Sequence, residues 1–159
     1  MEWRDVARFK QVLSEAECKE ILSAARRGVL SLTGDGGYPY GVPLNHFWCE
    51  EDGRLYFHSG QRGHKVDSIR ADGRACYTVM DGGVKDADGW WDIVHSVIVF
   101  GRIEFIEDRE RVYDIARRLS LQFTDDEDYI AGEIEKSGPA TLMFALVPEH
   151  MTGKFITEK

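Results

Sequence analysis

The run Tyr56-Phe57-His58-Ser59-Gly60-Gln61-Arg62-Gly63-His64-Lys65 holds the densest set of groups able to do chemistry in this chain. A β-type segment ends, a small polar loop follows, and a helix begins with a basic residue in its first turn. A helix N-terminus offers free N–H groups and a partial positive charge, which suits a phosphate. Ser59 adds a hydroxyl donor, and Arg62, His64 and Lys65 add charge. A phosphomonoester carries nearly two negative charges and needs several such donors together. The same pattern also describes a plain join between a loop and a helix.

A second stretch, Gly41-Val42-Pro43-Leu44-Asn45-His46, has the composition of a strand that lets its backbone approach a flat ring. Such a ring needs an apolar surface along one face and a few hydrogen-bonding groups at its rim. Asn45 or His46 could fill the second role; an irregular barrel edge explains the same residues. Other chemistries find no support. Gly34-Asp35-Gly36 precedes no helix, so it is not a dinucleotide fingerprint, and there is no Gly-Lys-Ser/Thr phosphate loop. His46 and Cys49 form half of a metal pattern without a second half, so no metal site is expected. No Gly-x-Ser-x-Gly nucleophile turn occurs.

The charge balance points to a small anion. The chain of 159 residues carries a net charge of −8, which argues against nucleic acid or an anionic membrane as partner. Against that background, Arg54–Arg74 holds five basic and two acidic residues, while Glu107–Lys136 holds ten acidic and five basic ones. A basic island in an acidic protein suggests a local anion site, although a solvated surface helix could also produce it. Cys18, Cys49 and Cys76 are odd in number and lack a Cys-x-x-Cys pair, so a disulfide framework is not expected and a reducing cytoplasm is. No apolar run approaches the roughly 20 residues of a membrane span, and the charged start Met1-Glu2-Trp3-Arg4-Asp5 does not read as a secretory signal.

The elements that must position these groups follow from periodicity. Ser14 and Glu17 predict a capping box that opens a helix over about 14–27, ended by Gly28. Two β-type runs, 29–33 and 38–48, flank a glycine-rich turn and predict a hairpin. Pro39 and Pro43 remove ladder donors and place part of the second run at an edge or bulge. Further strands are expected at 55–58, 75–80, 93–106 and 140–147, with helices over 63–71, 109–123 and 126–136. Six strands joined mostly by short turns make a mainly β, antiparallel barrel with helical additions, in one domain over 1–159.

At this point the sequence resembles a known family. Gly28-Val29-Leu30-Ser31-Leu32, Tyr38 through Asn45, Leu55 through Ser59, Gly63-His64-Lys65, His95 through Gly101 and Met151-Thr152-Gly153-Lys154 follow, in order, the blocks of the pyridoxamine 5′-phosphate oxidase-like superfamily. Within it the chain is most similar to the nitroimidazole-resistance flavoproteins. The resemblance implies a six-stranded split-barrel homodimer with two flavin mononucleotide (FMN) sites between the subunits. It implies that Val42, Pro43, Leu44 and Asn45 run past the isoalloxazine ring, that Ser59, His64 and Lys65 hold the phosphate, and that Ser96, Val97 and Lys154 line the pocket. His58 matches a histidine near the flavin and is the candidate catalytic proton donor or polariser. Trp90 and Trp91 either cover the site or pack at the interface. The C-terminal segment lacks the arginines with which pyridoxamine phosphate oxidases proper grip their substrate, so oxidation of vitamin B6 is not expected. The expected activity is reduction of a small electron-poor acceptor; a flavin store or sensor and a heme-binding barrel are the alternatives.

Overall fold

The computed structural model describes residues 2–158. Its elements, in chain order, are α1 (Glu15–Ala24), β1 (Arg27–Thr33), β2 (Pro39–Asn45), β3 (Phe47–Cys49), β4 (Arg54–Ser59), α2 (His64–Ala71), β5 (Arg74–Met80), β6 (Val84–Lys85), β7 (Asp92–Ile106), α3 (Arg109–Ser120), α4 (Glu127–Ser137) and β8 (Leu142–Glu158). The strands form one antiparallel sheet in the order β2-β1-β5-β7-β8-β4-β3, with β6 beside the start of β7. The sheet curls into a split β-barrel.

The expected six strands are eight. The run 38–48 breaks at His46 into β2 and β3, the pair 84–85 adds a short strand, and the last strand continues to Glu158. The break has a plain cause. The His46 N–H bonds to the Arg26 carbonyl rather than to a sheet neighbour. Its ring is fully buried, with Nδ1 2.8 Å from the Tyr77 hydroxyl and Nε2 donating to the Leu22 carbonyl at 2.8 Å. The extension of β8 rests on a full ladder with β7, from Asp92–Glu158 to Ile106–Met143, shifted once at Phe100/Gly101. This bent ribbon joins the two halves of the sheet.

Alternation along the strands creates two cores. Leu30, Tyr77, Phe57, Val97, Val99, Phe144 and Leu146 fill the barrel together with Cys18 and Leu22 of α1. On β4, Leu55 and Phe57 face inward while Tyr56 faces outward, where Val112 and Ile115 of α3 cover it with Met143 and Ala145 of β8. Each such side chain contributes about 1.5–3 kcal/mol on burial. The helices start where the sequence marks them. The Ser14 hydroxyl accepts the Glu17 N–H and the Glu17 carboxylate accepts the Ser14 N–H, while Asp108 and Asp126 cap α3 and α4. Apolar residues at Val112, Ile115 and Leu119 give α3 one buried stripe.

The outer face of the sheet is therefore covered by α3 and α4 only over the β3, β4 and β8 half. Over β1, β5 and the first part of β7 it lies open, with Val29 and Met80 exposed upon it. No helix among the described residues is long and apolar enough to cross a membrane.

Candidate functional site

The basic turn forms as its residues dictate. β4 ends at Ser59, and Gly63, at φ +123°, turns the chain into α2 from a conformation that favours glycine. No side chain caps this helix, so its first N–H groups have neither an intrahelical partner nor a capping oxygen. Lys65 lies in that first turn, half-buried, and among the described residues it has no carboxylate within ion-pair distance. Burial pushes its ammonium below the ordinary lysine range. A cation taken partly out of water without a partner is a costly arrangement unless an anion completes it.

His58 stands beside Lys65. Desolvation first, then the Lys65 charge, lowers its imidazole below 6.5. His64 stacks on Tyr40 of β2, with ring centroids 4.0 Å apart. The Asp35 N–H lies 3.4 Å from His64 Nε2 and the Asp35 carboxylate 3.7 Å from the same atom, so Nδ1 is the ring nitrogen left without a partner. The Ser59 hydroxyl donates to the Gly60 carbonyl at 2.8 Å. Of the three groups expected to grip phosphate, Lys65 is thus wholly free, His64 retains one unpartnered ring nitrogen, and Ser59 must turn its hydroxyl to take part.

The other expected residues lie along the sheet. β2 is an edge strand, paired only with β1, and it alternates. Tyr40, Val42 and Leu44 turn toward the barrel, while Gly41, Pro43 and Asn45 turn outward. Ser96 of β7 pairs with Lys154 of β8, and both side chains leave the sheet on its outer face. Val97 is fully buried in the barrel, so only its backbone could meet a ligand. His46 is the one rim candidate that the structure removes: it is buried, and both ring nitrogens are engaged. Trp90 and Trp91 sit on the loop before β7, where Asp86 accepts both their N–H groups, and their rings are 78% and 40% exposed.

Two groups result. His58, Ser59, His64 and Lys65 gather at the junction of β4 and α2. Asn45, Ser96 and Lys154 lie on the outer face. A cleft of about 780 Å³ opens over Cys76 and Phe100, and a smaller one of about 170 Å³ is bordered by His58. Neither joins the two groups.

Two features escape a reading of the sequence. His95 Nδ1 lies 2.6 Å from Asp81 Oδ2, while Asp81 Oδ1 accepts the His95 and Gly83 N–H groups. Partial burial works against the Asp81 carboxylate, but these hydrogen bonds prevail and hold its pKa below the ordinary value. The second is the small cleft itself, where α3 and α4 meet β4. Both join residues distant in sequence, and no local pattern announces either.

Fold and site together define a split-barrel protein with a basic turn where β4 meets α2. A family model, pyridoxamine 5′-phosphate oxidase, matches residues 14–155. The chain belongs to that family. No curated protein matches it. Among solved structures, it is similar to a proposed 5-nitroimidazole antibiotic resistance protein from Bacteroides thetaiotaomicron, at 23% identity and TM-score 0.74, over 92% of this chain and 87% of that one. An FAD-binding protein from Mesorhizobium loti aligns at 24% identity and TM-score 0.64, over 92% and 97% of the two chains. Another FAD-binding protein, from Mycobacterium smegmatis, aligns at 18% identity and TM-score 0.67, over 93% and 99%.

Proposed function

We propose that this chain is a flavin-binding protein that holds FMN at two equivalent sites between identical subunits and passes electrons to a small electron-poor acceptor. The observation that carries the reading is Lys65: a half-buried cation, without a carboxylate partner, in the first turn of an uncapped helix. That arrangement fits a terminal phosphate. FMN ends in a phosphomonoester, whereas FAD presents a diphosphate linked to adenosine, so a single-phosphate cradle favours FMN. The two FAD-binding structures of similar fold support a flavin in general.

Within this reading, Lys65, Nδ1 of His64 and the open N–H groups of α2 hold the phosphate, joined by Ser59. The edge strand β2 runs from Tyr40, which carries the His64 stack, to Asn45. Five residue steps at roughly 3.3 Å cover about 16 Å, a span that suits a ring, a short sugar-alcohol chain and a phosphate laid along one strand. Val42, Pro43 and Leu44 would present backbone and Cβ surface to the ring, and Asn45 its rim. Ser96, the Val97 backbone and Lys154 belong to the outer face, away from the turn. A second copy, seated on the uncovered face, would bring its own outer residues to the first copy's turn, and a two-fold axis makes the exchange reciprocal. Val29 and Met80 give that face an apolar centre.

A bound flavin supplies the redox chemistry, and the protein supplies binding and electrostatics. His58, although exposed in the single chain, favours its neutral form because local desolvation and the Lys65 charge oppose its proton. It therefore acts as a hydrogen-bonding polariser at neutral pH and becomes a proton donor only when acidified or when a phosphate offsets Lys65.

The test is an absorption spectrum of the purified protein, followed by chromatography of the released cofactor and light scattering for mass. Flavin bands, FMN on release and a dimeric mass are expected. A Soret band would turn the reading to heme, and FAD on release would overturn the single-phosphate cradle. A flavin-loaded protein that no nitroaromatic or quinone reoxidises would leave storage or sensing as its role.

A further inference from the structure

We propose that the cavity where α3 and α4 meet β4 is a binding site for a single planar ring that is neutral or positively charged. The cavity measures about 170 Å³. Cavities of about 150 Å³ take up benzene, so one ring with a small substituent fits and two rings do not. Its floor is apolar: Val112, Ala116 and Leu119 from one face of α3, and Ile134 from α4. A flat hydrocarbon surface of this kind holds a ring by its face.

The polar groups are few, and of them the Thr141 hydroxyl is engaged, donating to the Ser137 carbonyl at 2.9 Å. His58 reaches the cavity because β4 alternates, sending Leu55 and Phe57 into the barrel and Tyr56 and His58 toward the helices. Its ring has no hydrogen-bond partner among the described residues, nor do the hydroxyls of Ser120 and Ser137 at the mouth. The only carboxylate in the lining is Glu133; no lysine or arginine is itself in the lining, although Arg109 binds the Gly138 carbonyl at 2.6 Å and Lys65 stands behind His58. Lys136 lies 4.0 Å from Glu133 in an exposed pair, too loose to cancel it. Helix α4 carries Asp128, Glu133 and Glu135 against Lys136, while its Glu127 is paired with Arg117 of α3. An anionic ring would meet this field at the mouth and be disfavoured; an amidine or amine would be drawn in. Except at His58, the lining is separate from the residues assigned to flavin, and the site stands whether or not flavin binds.

The experiment uses three isosteric probes: benzamidine, benzamide and benzoate. Each is titrated into the full-length protein as purified, by ligand-observed NMR, with FMN affinity measured in parallel. Benzamidine should bind about two- to fivefold tighter than benzamide, and benzoate weaker by a similar step, as an exposed ion pair allows. Glu133→Gln should collapse this order while benzamide still binds. Ser120→Leu should displace all three probes and leave FMN affinity unchanged; Ala116→Val serves as a second filling variant if the first unfolds. Three equal affinities, or full binding after filling, would overturn the site. FMN bound without any ring would sink this inference alone, and a ring bound without FMN would sink only the flavin reading.

Discussion

Ser96 and Lys154 face each other across the β7–β8 ladder and leave the sheet on its outer, uncovered side. Lys154 is exposed and has no ion pair among the described residues. Its removal should therefore leave the fold alone, because surface substitutions away from special features fall within about 0.5 kcal/mol. Lys154→Ala should instead weaken flavin binding about fivefold, the loss of one partly solvated charged contact of roughly 1 kcal/mol. Titration and thermal unfolding on the same samples separate the two effects. A lowered midpoint with unchanged flavin affinity would return Lys154 to a structural role.

Lys65 makes a stronger case, because half-burial shields it from water. Lys65→Ala should cost roughly 1.5–3 kcal/mol, or about 10- to 150-fold in FMN affinity. Arg54→Ala is the control. Arg54 opens the same strand but pairs with Glu104 at 3.0 Å in an exposed bridge, worth about 0–1 kcal/mol. Equal effects of the two substitutions on FMN binding would remove Lys65 from the phosphate site.

These contrasts show where the sequence was sufficient. The capping box at Ser14, the stripe of α3 and the basic first turn of α2 are local patterns, and each appears where periodicity puts it. The break at His46 was not legible, because a histidine inside an apolar run reads equally as rim or core. Only the distant Tyr77 and Leu22 decide for the core. The stretch of β8 beyond Val147 was missed for a related reason. The apolar run that predicts this strand stops at Val147, and only the length of β7 beside it carries the strand on to Glu158. Sequence also named Val42, Leu44 and Val97 without showing that their side chains turn inward, since facing is fixed by register with neighbours.

The β7–β8 ribbon bends at Phe100/Gly101, and glycine is required there by close approach rather than by dihedral freedom. A Cβ at Gly101 would collide with the Val147 carbonyl and come within 3.1 Å of Pro148 Cα. Backbone cannot move aside as a flexible side chain can. Gly101→Ala should destabilise the fold by about 1–3 kcal/mol, read as a lower denaturation midpoint at unchanged slope. Gly53→Ala, where a Cβ meets nothing within 4 Å but φ is +67°, tests dihedral strain alone and should cost about 1 kcal/mol. A Gly101 variant as stable as wild type would mean that the ribbon bends elsewhere.

Acid should weaken this protein well before its carboxylates titrate. His46 is buried, and burial lowers its imidazole below 6.5 despite the Leu22 carbonyl that favours its protonated form. His58 shifts the same way, but it is exposed, so solvent screens its share and His46 carries most of the effect. In the unfolded chain both take up protons near pH 6.5, while in the fold they resist until lower pH. Between those limits the unfolded state binds more protons, so stability falls as pH drops through and below 6.5. Carboxylates held low by partners, such as Glu51 at about 2, lose their contribution only below their ordinary range near 4.5. The window from pH 7 to 5 thus isolates the histidines. Thermal midpoints should decline across it, and His46→Gln, which keeps a donor and an acceptor at the corner, should flatten the decline. His46→Leu should instead cost about 1–3 kcal/mol at every pH, because the Leu22 carbonyl loses its donor. A wild-type midpoint that holds constant from pH 7 to 5 would show that neither ring resists protonation in the fold.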